Sequence, residues 1–318
     1  MSRNWLRRGV LMAACAASLL LAACGSSTTE SQLTPARVVA FGDGFADLGQ
    51  AGNRYTVNDG LINVWTEHVA FAFALPLAPV SKGGTSYAVG HARVAAKPDD
   101  VGNNATPTVT EQIDTFLATG TIGPNDLFII NAGTSDLIAE GAKLAKGSQT
   151  ADQMVANARQ AGKDLAGQVR RLVNAGAKFV VLAGPYNLGR SPWAAATGLK
   201  TQMETASGRF NDDMLISIVD LGANVLYVDA ALQYNLMTAQ PASYELTDVV
   251  TPVCTSVDPG PGIGIGAGEV NSSLCTPSTV LAGVTDYNAF LFADKVYPTP
   301  RGHAKFGEYA YSRIRARW

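Results

Sequence analysis

The sequence predicts an α/β domain, a three-layer α/β/α sandwich around a mainly parallel sheet. Three observations carry this. Short, almost wholly apolar runs recur at 37–41, 126–131, 178–182 and 224–228, as strands buried on both faces do. Amphipathic stretches separate several of them, and strands alternating with helices imply parallel pairing with helices on both faces. The first three runs lead into segments rich in Gly, Asp or Asn at 42–47, 133–136 and 184–189. In such sheets ligands sit outside the carboxyl ends of the strands.

Taken in order, Arg37-Val38-Val39-Ala40-Phe41 is a buried strand feeding the loop that begins Gly42-Asp43-Gly44. Residues 64–75 form a helix stopped by Pro76, which cannot continue it. The second strand is Asp126-Leu127-Phe128-Ile129-Ile130-Asn131. Residues 151–175 form a long helix, with Met154, Ala158, Leu165, Val169 and Leu172 on one face and Gly176 just past its end. Residues 178–182 are a third strand. Residues 193–221 are mostly helix, ended by Gly222, and 224–228 are a fourth strand. The last helix covers 301–315. No internal repeat is visible.

The first 34 residues read differently. Arg3, Arg7 and Arg8 precede an apolar run of about 15 residues, 9–23. A positive start, a short apolar stretch and small residues at the cut mark an export signal; a membrane span needs roughly 20. Leu21-Ala22-Ala23-Cys24 resembles the lipobox of bacterial lipoproteins. That resemblance implies cleavage before Cys24, lipidation of its thiol and membrane attachment through it, with Gly25 pointing to the outer membrane of a Gram-negative envelope. Residues 1–23 are then signal, 24–34 a small, polar tether and 35–318 one folded domain.

Losing the signal removes three arginines and no acids, leaving 21 basic against 26 acidic residues, a balance of −5. This argues against nucleic acid or anionic headgroups as the main partner. Cys254 and Cys275 are the domain's cysteines, and in an oxidising envelope they are expected to pair, stapling a Gly/Pro-rich stretch. No further Cys or His lies near them, so no metal is expected there, and no cofactor is implied. The glycines at 260–268 lack the flanking strand and helix of a nucleotide loop and read as a surface insertion. Asn271-Ser272-Ser273 matches a glycosylation acceptor by chance.

Ordered segments along the domain are similar to the signature blocks of a known family. Phe41-Gly42-Asp43-Gly44-Phe45-Ala46-Asp47-Leu48-Gly49 is similar to the first block, FGDSLSDxG. Asn53-Arg54-Tyr55-Thr56 with Trp65 and Glu67 looks like a segment of a secreted branch. Gly84-Thr85-Ser86-Tyr87-Ala88-Val89-Gly90-His91-Ala92-Arg93 is similar to the second block, GxNYAVGGAR, and Asn131 to Leu137 to the third, GxNDL. Asn187-Leu188-Gly189-Arg190 and Phe210-Asn211 look like features between blocks. Asp294 to Thr299 with Gly302-His303 is similar to the last, DxVHPTxxGH. Together these segments resemble the GDSL esterases and lipases, also called SGNH hydrolases, of flavodoxin-like fold.

The resemblance implies acyl transfer: a first-block serine attacks an ester, a last-block histidine oriented by an aspartate takes the proton, and glycine and asparagine hold the oxyanion. Here those positions fall on Gly44 (nucleophile), Tyr297 (base), Asp294 (orienter), and His91 and Ser135 (oxyanion). Glycine offers no side-chain oxygen. A phenol of pKa about 10 is no neutral-pH base. Only Asp294 keeps its identity. Removing a triad member leaves about 10³–10⁴-fold over water, so little of that chemistry should survive.

The expected pocket is lined by Asp43, His91, Thr134, Ser135, Asp294, Tyr297 and His303. His91 is expected to fill the space of the missing groups, His303 to be structural, His68 to pack, and Asp43 to tie loop amides. Three functions stay open: a non-catalytic domain binding an ester, an acylated glycan or a protein; an ester hydrolase with a displaced set drawn from Ser86 or Ser135 with His91; and a structural envelope protein with its pocket closed.

Overall fold

The computed structural model describes residues 33–260 and 268–318. The signal segment, Cys24, nearly all of the tether and most of the glycine-rich insertion lie outside those residues.

The main sheet has four parallel strands in the order β1–β2–β3–β4: β1 Arg37–Gly42, β2 Asp126–Asn131, β3 Phe179–Ala183 and β4 Val225–Tyr227. Arg37 pairs with Asp126, Leu127 with Phe179, and Val180 with Val225. Every side chain of β2 is buried, which is why it reads as a continuous apolar run. The second-block segment runs along the free edge of β1. Thr85 accepts from the Ala40 N–H, Tyr87 donates to Ala40, and Val89 donates to Gly42. It lengthens the sheet irregularly past β1, through an isolated parallel bridge between Ala40 and Ser86.

Eight α-helices accompany the strands among the described residues: α1 Trp65–Ala72, α2 Val109–Thr119, α3 Thr134–Ala145, α4 Ala151–Asn174, α5 Pro192–Thr197, α6 Lys200–Ile216, α7 Ala230–Ala239 and α8 Pro300–Arg317. The arrangement is a three-layer α/β/α sandwich. α4 packs on α6, α3 and α2, while α1 packs on α8. The buried stripe of α4 includes Met154, Ala158, Ala161, Leu165, Val169 and Leu172, and Thr150 with Gln153 caps its start reciprocally. At Gly162 a Cβ would come within 2.2 Å of the Phe210 carbonyl oxygen, so glycine here permits the close approach of α4 to α6. A second, two-stranded parallel sheet pairs β5 Asp248–Pro252 with β6 Phe290–Phe292. The Cys254–Cys275 disulfide lies beside it.

Three expectations change. α1 stops at Ala72, short of Pro76, because Ala74 turns left-handed at φ 56°. The helix expected over 193–221 is two, α5 and α6, broken at Gly198 with φ 71°. α6 also ends at Ile216 rather than at Gly222, and a short 3₁₀ turn, Val219–Leu221, follows. Helices α2, α3 and α7 and the β5–β6 pair were not anticipated.

Candidate functional site

The chain from the end of β1 turns sharply. Asp43, buried, accepts from the Phe45 N–H at 3.0 Å and, across the sheet, from the N–H groups of Thr134 at 2.9 Å and Ser135 at 3.4 Å. α3 has no cap of its own, since Gly133 precedes it. Asp43 therefore caps it from another loop, its charge facing the positive end of the helix. Burial outweighs these bonds and raises the Asp43 carboxyl to about 7.

The other blocks are tied together in the same way. Asp47 accepts from Gly49 and Gln50, and from the second-block Gly90 at 2.8 Å. Arg93 reaches Asp136 at 3.2 Å and Glu140 at 3.0 Å. Desolvation raises Asp136 to about 6 even beside that guanidinium. Gln112 makes two 2.9 Å bonds to the backbone of Gly42. Trp65 donates its indole N–H to Asn131, and Arg54 pairs with Glu67. Of these supports only Asp43 was anticipated as a tie between loops. Arg93, Asp136 and Glu140 lie within or just past recognised blocks, but their pairing leaves no mark in the spacing.

Gly44 sits at the centre, and the space a side chain would need there is taken. A Cβ on Gly44 would lie 2.5 Å from the hydroxyl oxygen of Tyr297 and 2.8 Å from its Cζ. Tyr297 is fully buried against Tyr55 and Phe45, with ring centroids 5.0 and 6.2 Å away. Its hydroxyl has no hydrogen-bond partner among the described residues. Burial drives that phenol well above its ordinary value, and nearby Asp43 adds to the shift. Phe45 also packs on Tyr186, Tyr234 and His303. His303 is buried and is lowered to about 3 by desolvation. It is a neutral packing group. His68, half-buried, packs near Gly307.

Asp294 holds no imidazole. One carboxylate oxygen accepts from the N–H groups of Val296 at 2.8 Å and Tyr297 at 2.7 Å, and the other from Ser272 at 3.0 Å. It shapes the turn bearing Tyr297 and joins it to the disulfide segment. His91 does not fill the vacated space, contrary to expectation; Tyr297 does. His91 turns to the side, in a left-handed conformation at φ 66°, and its Nδ1 lies 2.6 Å from the buried Asp100. Burial acts to lower its pKa, but Asp100, helped by Asp99 and Asp47, outweighs it and raises the imidazole. Asp100 was not anticipated, lying in an irregular loop with no motif.

The hydroxyls of Ser86, Thr134 and Ser135 are buried and bonded to nothing among the described residues. None reaches an imidazole, so the displaced serine–histidine set is not formed. Tyr297 fills the part of the expected pocket next to Gly44. Grooves on the described surface include one of about 340 Å³ beside Arg190, Lys200 and Glu204, one of about 310 Å³ beside Lys97, Asp99 and Lys146, and one of about 370 Å³ beside Leu33, Phe179 and Trp318. No group of three His, Cys, Asp or Glu able to hold a metal occurs among the described residues.

With these blocks brought to the carboxyl end of one sheet, the comparison with known families is direct. The profile of the family described as GDSL-like Lipase/Acylhydrolase matches residues 38–310. The chain belongs to that family. A curated relative, called an uncharacterized protein in the trpE-trpG intergenic region of Pseudomonas putida, is 25% identical over 98% of this chain. The chain spans 54% of that relative's length. Among solved structures, a lipolytic GDSL-family protein from Veillonella parvula is 12% identical, with a TM-score of 0.47 over 87% of this chain and 96% of its own. A carbohydrate acetylesterase from Sinorhizobium meliloti is 14% identical, at 0.44 over 89% and 99%. An extracellular lipase from Streptomyces rimosus is 14% identical, at 0.42 over 89% and 99%.

Proposed function

We propose that this GDSL-family protein is catalytically silent, is held at the outer membrane through lipidated Cys24, and acts on another envelope component through its surfaces. One observation carries the silence: the Tyr297 side chain occupies the space a nucleophile at Gly44 would need. No hydroxyl among Ser86, Thr134 and Ser135 meets a base, and the one aspartate retained from the family set, Asp294, is spent on backbone amides. An ester then meets no attacking atom at position 44, and a protein or acylated glycan would be met on the exterior.

The test is turnover of p-nitrophenyl acetate and labelling by a fluorophosphonate on the purified mature lipoprotein. Neither should exceed the buffer control. A variant carrying Gly44→Ser, His91→Gly, Ser135→Asn and Tyr297→His is the positive arm, and activity appearing only there supports a scaffold whose chemistry has been removed. Turnover by the unaltered protein overturns the reading.

A second reading rests on the His91–Asp100 pair. Its Nδ1-to-carboxylate bond is the geometry that orients a general base, and such a base could activate water on an ester at the surface. Turnover lost in His91→Gln, with no fluorophosphonate label, would favour it.

A further inference from the structure

Leu33 and Thr34, where the described chain begins, and the family blocks lie at opposite ends of the sheet. Leu33, the first described residue, enters beneath β1 and is buried. It lines a groove of about 370 Å³ with Thr34, Asn125, Phe179 and Trp318. Trp318 packs edge-on against Phe179, 5.3 Å between centroids, and the neighbouring Arg317 bonds the Gly222 carbonyl. All of these lie where strands begin. The turns leading to β4 belong to the same end, and they expose Ile216 and Val219 at 71% and 82%.

Charge at this end differs from the acidic balance of the whole chain. Among the described residues its acids are paired: Asp126 with Arg37, Asp220 with Arg170, Asp114 with Arg171. Lys178 and Arg313 are exposed and Arg315 partly so, and none of the three has a carboxylate partner within 4 Å among the described residues. An indole, exposed aliphatic side chains and unpaired cations together suit a bilayer interface, where aromatic rings settle at headgroup depth and cations meet anionic lipid.

We propose that this end of the domain seats on an anionic phospholipid surface. The inference rests on the reading that Cys24 is lipidated. Leu33 lies nine positions after Cys24, a reach of at most about 30 Å when fully extended. The anchor thus confines the domain to within one domain width of the bilayer, and Leu33, to which it leads, lies at the apolar, basic end. A domain held so close, by a chain leading to that end, presents that end to the lipid.

Trp318 also supplies the probe, because Trp65 and Trp193 are buried and Trp5 belongs to the signal. The mature lipoprotein is reconstituted into phosphatidylethanolamine–phosphatidylglycerol vesicles with brominated acyl chains. The Trp318 emission, taken as the difference between the protein and its Trp318→Phe variant, should fall at least two-fold against unbrominated vesicles. Val219→Asp, at a site where the side chain packs on little, and Arg313→Glu with Arg315→Glu should each restore most of it. Phosphatidylcholine alone should quench less. Membrane-held protein whose Trp318 emission is unchanged overturns the proposal and leaves the anchor standing. Fractionation with Cys24→Ser decides the anchor separately: the variant should leave the membrane fraction that retains the unaltered protein. If the two partition alike, the anchoring reading falls and this proposal with it.

Discussion

The hydroxyl oxygen of Tyr297 stands 2.5 Å from where the first side-chain carbon of residue 44 would be. The two positions are thus coupled by volume. A serine at 44 needs a smaller residue at 297, and a tyrosine at 297 needs glycine at 44.

Gly44→Ser alone should therefore destabilise the domain by about 1–3 kcal/mol through overpacking. Gly44→Ser with Tyr297→His should cost less than the sum of the two single changes, with a coupling of about 0.5–3 kcal/mol. Chemical denaturation of the four proteins measures this. Additive changes would mean that Tyr297 can move aside freely.

Tyr297→Phe should leave the domain as stable or raise its stability, by up to about 1–3 kcal/mol. The change keeps the ring and removes a buried hydroxyl that has no partner. A clear fall in melting temperature would mean that the hydroxyl is satisfied in solution.

Asp43 gives a pH signature. Its folded value, about 7, lies above the ordinary 3.8, so between those limits the folded state binds the extra proton. Its contribution to stability is full below about 4 and is lost as pH rises through 7. Asp43→Asn cannot ionise. The variant's stability relative to the unaltered protein should thus improve from pH 5 to pH 8, measured by denaturation at each pH. A difference independent of pH would place the Asp43 carboxyl near its ordinary value.

Asp294→Ala should cost about 3 kcal/mol or more, because three buried N–H groups lose their acceptor. Replacing Cys254 and Cys275 by alanine should cost about 3 kcal/mol, from a closed loop with a sequence separation of 21. Both losses are read from denaturation midpoints. Full stability in either variant would contradict the role assigned to that region.

Much of the sheet is legible in the sequence, because a strand buried on both faces must be apolar along its middle, as Leu127 to Ile130 of β2 are. That the Asp126 charge at its start is met by Arg37 is legible only in the structure. α4 declares itself by spacing, whereas in α7 the apolar and polar residues do not segregate to two faces, so pattern alone passes over it. The β5–β6 pair joins segments about forty residues apart, and no local signal announces such a pairing.

At the site, the exchanged residue types at 44, 91, 135 and 297 are visible in the sequence, but the direction of a side chain is not. Nothing in the order of residues says that Tyr297 points inward and His91 sideways. Asp100 lies nine positions after His91, beyond a turn without regular structure. Its bond to His91 exists only because the loop folds back.

Helix α3 begins without a side chain able to cap it. Its first amides wait for Asp43, 91 positions upstream in the case of Thr134. α2 and α4 carry their own reciprocal caps, within three residues, and can persist as local turns before any sheet exists. α3 becomes complete only after β1 and β2 have met in register, a closure that sequence distance makes slow. The blocks shared with the esterase family are accordingly expected to be the last part of the chain to assemble and the first to open, and hydrogen exchange at Thr134 and Ser135 would report that opening.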